Sequence, residues 1–167
     1  MYEHRPGRTI CEADNACFTR LTMNTHPLPL DAAYAARTEF GRRVVNSCLT
    51  LSMVVGMSVA DVSEQAIADL GCKSIELSAP VFTGDTLYAE SQVLAKRESR
   101  SRPTQGVVTV RTRGLKADGT VFMACERSLL VPKRPAASAA QPRTARSAHG
   151  PPGRPARRSG RAKRRAR

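Results

Sequence analysis

The most distinctive stretch of the chain is a run of apolar residues at 45–60, VNSCLTLSMVVGMSVA. In an α-helix these apolar side chains would point in almost every direction, and Asn46 or Ser47 stands where an N-cap is expected. A helix that is apolar on all sides must be covered on all sides. Because a glycine and two serines interrupt the run, and because it is too short to cross a bilayer, we predict that protein covers this helix.

Four segments that follow this helix alternate between apolar and polar residues, as half-buried β-strands do. Ile75 and Leu77 share one face of the first segment, and Leu87, Ala89 and Val93 share one face of the second. Turn sequences such as TGD and ADG lie between segments. One buried helix followed by consecutive strands with short connections predicts an α+β fold in which an antiparallel sheet wraps around the helix. The predicted strands cover residues 73–79, 86–96, 106–114 and 120–131.

The region before the buried helix contains a shorter predicted helix and a polar loop. Residues 11–22 place acidic side chains early, where a helix N-terminus favours negative charge. This helix must end before Pro27, and Asp31 is placed to cap a brief helix through residues 32–36. The loop between the two helices, NTHPLPL, combines an asparagine, a threonine and a histidine with two prolines. It is a candidate for a catalytic loop, for an ordinary turn, or for a site that has lost its chemistry.

Basic side chains are concentrated at one end of the chain. Of the 27 Lys and Arg residues, 12 lie in residues 132–167, which contain none of the 14 Asp and Glu residues. Residues 1–131 therefore carry 15 basic and 14 acidic side chains, a net charge of +1, although the whole chain carries +13. Residues 132–167 also lack aromatic residues and aliphatic residues larger than alanine. We predict one folded domain at 1–131 and a disordered basic tail at 132–167.

Cysteine usage and the first residues of the chain bear on its location. The five cysteines are scattered without a CxxC pair, which favours neither a disulfide framework nor a zinc site. The start, MYEHRPGRT, lacks the apolar core of a signal peptide, and no run reaches the roughly 20 apolar residues of a membrane span. His4, His26 and His149 are too dispersed to suggest metal ligands. We expect a cytoplasmic protein without membrane contact and without a metal.

Three ordered segments of the chain resemble one known family. GRTICEADNACFTRLTMNTHPLPLDAAYA, RVVNSCLTLSMVVGMSV and APVFTGDTLYAESQVLAKRESRSR together resemble a MaoC-like acyl dehydratase or enoyl-CoA hydratase of the hot-dog fold, near the mesaconyl-CoA hydratase branch. The resemblance covers roughly residues 7–131. It implies an antiparallel sheet around one long central helix, a homodimer or higher homo-oligomer, and hydration or dehydration of an acyl-CoA thioester without a metal or redox cofactor. It also implies a first strand preceding MYEHRPGRT, so we expect the sheet to lack an edge.

The loop at 24–29 fits the catalytic motif of this family only in part. The resemblance implies a loop of the form D-x-N-P-[LI]-H, or N-T-H-P-L-H in the mesaconyl-like branch. Asn24 takes the position of the aspartate and His26 fits the mesaconyl-like form, whereas Pro29 stands in place of the final histidine. An amide cannot hold a proton near neutral pH, which leaves His26 as the only titratable side chain in the loop. Since losing one general acid or base typically costs about 10²- to 10⁴-fold in rate, we expect an impaired hydratase.

The resemblance also implies a role for the start of the buried helix. There, backbone N–H groups near Asn46 and Ser47 would donate to the thioester oxygen and stabilise the enolate that forms. Asn24 would position water, and His26 would move the proton. Ordinary helix capping by Asn46 or Ser47, and a hydrogen-bonded structural role for His26, are the alternatives.

Other interpretations stay open from the sequence alone. The chain could be a noncatalytic hot-dog subunit that binds acyl-CoA or pairs with an intact paralogue. The basic tail could make nonspecific contacts with a polyanion, since it lacks aromatic residues for base stacking. Asp85, in the sequence TGDT, is typical of an Asx-turn rather than of a catalyst. Arg97, Arg100 and Arg102 could meet CoA phosphates, although a solvated hairpin loop is the favoured interpretation.

Overall fold

The computed structural model describes residues 1–133, which form five β-strands and three α-helices. The helices and the four strands expected from the sequence are present, and three of the four strands are longer than expected. A π-helical turn at Val59–Ser63 follows the third helix. The helices are α1 (Glu12–Leu21), α2 (Ala32–Ala35) and α3 (Ser47–Met57). The strands are β1 (Tyr2–Thr9), β2 (Ala68–Leu77), β3 (Thr86–Glu98), β4 (Gln105–Lys116) and β5 (Val121–Pro132).

All five strands belong to one antiparallel sheet in the order β1-β3-β4-β5-β2. Strands β3, β4 and β5 follow one another as hairpins, and β2 lies at the edge beside β5. The antiparallel sheet predicted from the alternating segments is therefore confirmed.

Strand β1 was not predicted from the sequence. It pairs with β3 from Tyr2 opposite Ser91 to Thr9 opposite Thr86. The first residues of this chain thus form the edge strand beside β3, and a further strand before them stays a prediction. The pairing of β1 with β3 shifts in register between His4 and Arg8. This irregularity obscures any alternation of apolar and polar residues along β1.

Helix α3 packs on one face of the sheet. Val54 is fully buried and belongs to the same apolar cluster as Phe122 and Met123 of β5. On the neighbouring strand β4, a Cβ atom at Gly114 would lie only 2.7 Å from Val54 Cγ2. The missing side chain at Gly114 therefore allows α3 to approach the sheet closely.

The helix is shorter and less covered than its apolar pattern predicted. It has 11 residues, because the Ser58 hydroxyl donates to the Val55 carbonyl at 2.7 Å and the backbone then changes to the π-helical turn. Ser52 and Gly56, on the side away from the sheet, are exposed. The prediction of protein on all sides is thus wrong for the single chain, in which the sheet covers only one side of α3.

The predicted inward faces of the strands are confirmed in one part and wrong in another. Leu87 and Ala89 are buried, with 0% and 2% of their surface exposed. Val93 is 51% exposed, because it lies in the outer half of β3, where the strand is exposed from Gln92 to Glu98. Ile75 and Leu77 are also exposed, at 49% and 57%, since β2 is an edge strand that α3 does not cover.

A chain of polar side chains connects β1, β3 and β4 to the π-helical turn. His4 Nδ1 lies 2.7 Å from Asp61 Oδ2, and His4 Nε2 lies 2.8 Å from Ser91 Oγ. Ser91 Oγ in turn lies 2.8 Å from Thr112 Oγ1. Because Ser91 is only 5% exposed and is hydrogen-bonded on both sides, this chain holds strands together and does not present a nucleophile.

Two further expectations concern the chain as a whole. The tail predicted at 132–167 begins in the last residues of β5, and from residue 134 onward it lies outside the described residues. Within residues 1–133, none of the helices has the length and apolar content needed to cross a bilayer.

Candidate functional site

The candidate loop begins where α1 ends. Asn24 N–H donates to the Thr19 carbonyl, and Met23 N–H donates to the Arg20 carbonyl, both at 3.0 Å. This pair of bonds is the Schellman arrangement, in which one residue must adopt a left-handed backbone conformation. Met23 does so, with φ of 55°. The chain reverses direction there, and Asn24 becomes the first residue of the loop.

Two hydrogen bonds inside the loop orient the polar side chains. His26 N–H donates to Asn24 Oδ1 at 2.9 Å. Leu28 N–H donates to His26 Nδ1 at 3.2 Å. Because a backbone N–H can only donate, Nδ1 is the acceptor nitrogen of the ring, and the proton of the neutral imidazole sits on Nε2. For the same reason Asn24 Oδ1 is occupied, and its Nδ2 group is the donor that remains.

The loop leads into α2, and Pro29 lies between them. Pro29 is buried. Asp31 then caps α2 as predicted, with Tyr34 N–H donating to Asp31 Oδ1 at 2.9 Å. The Tyr34 ring meets the His26 ring edge to face, with 6.0 Å between their centroids. Helix α2 therefore supports one side of the imidazole.

The second part of the site is the amino end of α3. Asn46 is the N-cap, and its Oδ1 accepts from Cys48 N–H at 3.0 Å. The backbone N–H of Asn46 is also bound, to a buried asparagine of α1 at 2.9 Å. The intervening Ser47 N–H has no hydrogen-bond acceptor among residues 1–133. The capping interpretation of Asn46 is thus confirmed, and Ser47 N–H is left to donate to a ligand.

The loop and the amino end of α3 line the same cleft, which has a volume of about 280 Å³. All four residues predicted for the site face it, namely Asn24, His26, Asn46 and Ser47. Pro29 and Cys48 also line it, together with Leu28, Val44 and Val45. Of these lining residues, only His26 and Cys48 have titratable side chains. The cleft therefore offers one imidazole, amide donors and an apolar wall.

The residues that join the two parts of the site were not predicted from the sequence. The buried residues of helix α1 are both polar, namely Asn15 and Thr19, at 4% and 0% exposure. Asn15 Nδ2 donates to the Pro29 carbonyl at 3.1 Å, and its Oδ1 accepts from Asn46 N–H. Two polar residues four positions apart share one helix face, and this spacing was the available signal.

A hydrogen bond and an ion pair made by the Asp14 carboxylate stabilise the start of α1. Asp14 Oδ2 accepts from Cys11 N–H at 3.0 Å, and this bond to the backbone holds the pKa of the Asp14 carboxyl below its usual range. The guanidinium of Arg8, with Nη2 2.7 Å from Asp14 Oδ1, lowers this pKa further. Strand β1 and α1 are therefore tied together just before the face that carries Asn15.

The remaining candidates lie away from the cleft. Asp85 Oδ2 accepts from Phe82 N–H at 3.0 Å and lies 2.9 Å from Lys116 Nζ. Asp85 therefore lies in a turn, but the predicted Asx-turn is wrong, because the side chain binds an N–H three residues earlier rather than two residues later. The exposed arginines at 97, 100 and 102 lie around the β3–β4 hairpin and do not line the cleft.

Comparison with known proteins agrees with this architecture. Residues 1–114 match the family model described as "MaoC like domain". The mesaconyl-CoA hydratase of Cereibacter sphaeroides is 34% identical over 137 residues, which cover 82% of this chain and 40% of that protein. The (R)-specific enoyl-CoA hydratase of Aeromonas caviae is 32% identical over 128 residues, covering 77% of this chain and 91% of that protein.

A solved structure identifies the fold. The Mycobacterium tuberculosis protein RV0216, described as a double hot-dog fold, superposes with a TM-score of 0.70 at 19% identity, over 84% of this chain and 45% of that one. The molecule is therefore a hot-dog protein with a cleft between its central helix and an adjoining loop. The chain belongs to the MaoC-like family. It spans about two fifths of the length of the C. sphaeroides hydratase.

Proposed function

We propose that this protein is a hydratase or dehydratase that adds water to, or removes it from, the 2,3-position of an acyl-CoA thioester. The observation that carries the proposal is the shared cleft: His26 and the amino end of α3 face the same space of about 280 Å³. A thioester bound there would have its oxygen near a helix amino end and its C2 and C3 atoms near an imidazole. The named activities of the C. sphaeroides and A. caviae relatives support the same reaction class.

In this proposal the amino end of α3 stabilises the enolate. Ser47 N–H donates to the thioester oxygen, because the N–H groups on either side of it already have acceptors in Asn15 and Asn46. The helix dipole adds a partial positive charge at the same point. Losing one such donor typically costs about 10²- to 10³-fold in kcat.

His26 then acts chiefly as the proton donor. Its Nδ1 is engaged by Leu28 N–H, so the proton available for transfer is on Nε2. In hydration, the water oxygen forms a bond to C3 while the Nε2 proton passes to C2; the proton that the water loses passes to the solvent, which returns a proton to His26 Nε2. Asn24 Nδ2 holds the water, but an amide cannot take the proton that the water loses.

Pro29 explains why such an enzyme would be slow. A second proton acceptor in the cleft is needed to take the proton from water, and Pro29 supplies no exchangeable proton or lone pair from its side chain. The rate penalty for a missing general base is about 10²- to 10⁴-fold. We therefore propose an impaired enzyme in which the substitution Pro29→His provides the missing base.

The proposal extends to the setting of the enzyme. We infer a homodimer or higher homo-oligomer, because apolar side chains of α3 such as Met53 and Met57 are only half-buried in the single chain. A cytoplasmic location is supported by five cysteines without a disulfide among them. No metal or redox cofactor has a part in the proposed reaction.

Steady-state hydration tests the proposal directly. The parent protein and Pro29→His are each assayed with crotonyl-CoA, mesaconyl-CoA and a longer enoyl-CoA, following the loss of the conjugated thioester. We expect slow turnover by the parent and a gain of at least about 10²-fold in Pro29→His. His26→Gln in the Pro29→His protein is the control, and it should remove the gain. No turnover above background by either protein with any of the thioesters would overturn the proposal.

A noncatalytic acyl-CoA-binding or partner subunit is the second candidate, and the buried Pro29 at the position of the expected histidine favours it. It predicts that the parent protein binds an acyl-CoA thioester in the same cleft without turnover. Activity that appears only in Pro29→His would support this candidate over the first.

A further inference from the structure

One side of α1 is polar and fully enclosed between the two parts of the cleft. Asn15 is 4% exposed, and each end of its amide has a partner in a different part of the site. Nδ2 donates to the Pro29 carbonyl at 3.1 Å, and Oδ1 accepts from Asn46 N–H at 2.9 Å. A single side chain thus connects the loop that carries His26 with the N-cap residue of α3.

Thr19 makes a second connection one helical turn later. Its Oγ1 accepts from Asn46 Nδ2 at 3.4 Å, and its carbonyl accepts from Asn24 N–H at 3.0 Å. Residues four positions apart lie on the same face of a helix. Asn15 and Thr19 therefore form a pair, which we call the α1 clamp, whose members each contact both the loop and Asn46.

The bond to Pro29 reaches the imidazole through very few atoms. Leu28 N–H holds His26 Nδ1 at 3.2 Å, and Pro29 is the next residue along the chain. Fixing the Pro29 carbonyl therefore fixes the peptide segment that orients the His26 ring. The bond to Asn46 N–H fixes the residue immediately before Ser47, whose own N–H has no acceptor among residues 1–133.

We propose that Asn15 is a positioning residue of this site, which sets the separation between the His26 ring and the amino end of α3. The kinetic part of its test rests on the function proposed above, whereas the chemical-shift part rests on the geometry alone. A purely structural asparagine could satisfy both ends of its amide with any buried partners. Here the two partners are the segments that must act on the same substrate, and a displacement of about 1 Å between reacting groups can cost about 10²-fold in rate.

The substitution Asn15→Asp separates the two connections. It keeps the shape of the side chain and the acceptor for Asn46 N–H, but it replaces the donor to the Pro29 carbonyl by an oxygen. Thr19→Val is the second variant, which removes the acceptor for Asn46 Nδ2 with little change of shape. The matched control is Thr112→Val, because Thr112 is equally buried and bonded to Ser91 but does not line the cleft.

Two readouts are measured on folded protein. The first is kcat and KM for crotonyl-CoA in the Pro29→His background. The second is the set of ¹⁵N chemical shifts of the His26 ring nitrogens and of the backbone and side-chain amides of Asn46. In Asn15→Asp we expect kcat to fall by about 10²-fold with KM changed less than about threefold, and both sets of signals to move. Thr19→Val should change the Asn46 signal and lower kcat less, and Thr112→Val should change neither readout.

The two proposals fail in distinguishable ways. If no variant ever turns over, the hydratase proposal fails, and the His26 and Asn46 signals alone decide the role of Asn15. The Asn15→Asp protein could instead have a lower melting temperature but unchanged kcat and unchanged His26 signals, which is the behaviour expected of the control Thr112→Val. Asn15 would then be only a structural residue, and this inference would be overturned. If Asn15→Asp does not fold, unchanged Asn46 signals in Thr19→Val would equally contradict the α1 clamp.

Discussion

Replacing Gly114 by alanine tests how α3 is seated on the sheet. The added Cβ would lie 2.7 Å from Val54 Cγ2 and 2.8 Å from Phe122 Cε1, whereas carbon atoms in favourable contact are about 3.5–4.0 Å apart. Val54 and Phe122 are 0% and 1% exposed, so neither side chain has free space to enter. The helix or the strand must move by almost 1 Å, and overpacking of this kind costs about 1–3 kcal/mol.

Gly56 provides a matched control on the helix itself. A Cβ there would meet nothing within 4 Å, and alanine in a helix interior is favoured over glycine by about 0.5–1 kcal/mol. We therefore expect Gly114→Ala to be destabilised and Gly56→Ala to be slightly stabilised. The measurement is urea unfolding followed by circular dichroism at one fixed protein concentration, with equal m values as the check on two-state behaviour. A Gly114→Ala protein as stable as the parent would refute the close contact between α3 and β4.

Three other substitutions have expected outcomes that thermal or urea unfolding can check. Met23→Gly should stabilise the protein by about 1 kcal/mol, because Met23 has φ of 55° and is 84% exposed; no change would mean that the helix end is not strained. His4, followed by Tyr2, holds the pKa of Asp61 below its ordinary value. A lowered pKa in the folded state means that stability is present above about pH 4 and is lost as the pH falls further, so Asp61→Asn should show a shallower acid loss; an unchanged acid profile would contradict the His4–Asp61 contact. Arg127→Ala should cost about 1–3 kcal/mol, because this buried guanidinium donates to Ser58 Oγ at 2.6 Å and its loss leaves that buried hydroxyl without the donor; an unchanged free energy of unfolding would contradict that burial.

The sequence was sufficient for those parts of the fold that depend on local pattern. The antiparallel strands, the capped helix after Asn46 and the cap at Asp31 all follow from periodicity and from side chains that bind their own neighbouring backbone. The pattern could not show which strands would be edges. Ile75 and Leu77 have the alternation of a half-buried strand, but they lie on β2, beyond the part of the sheet that α3 covers.

The candidate site divides in the same way. The resemblance to the MaoC-like family predicted a common site for Asn24, His26, Asn46 and Ser47, and all four residues line one cleft. Asn15 could not be recognised, because its importance comes from two partners 14 and 31 residues away in the sequence. Contacts over such separations follow from the packing of α1 against α3 rather than from any local pattern.

The central claim is that a thioester binds with its oxygen at the amino end of α3 and its acyl carbons beside His26. Butyryl-CoA tests this claim most directly, because it has the thioester group but no double bond to hydrate. It is titrated into ¹⁵N-labelled protein while the backbone amides and the imidazole signals are recorded. We predict that the largest shifts occur at Ser47 N–H and at the His26 ring. Saturable binding whose shifts lie instead beside Met53 and Met57, which do not line the cleft, would contradict the account, as would no binding at millimolar butyryl-CoA.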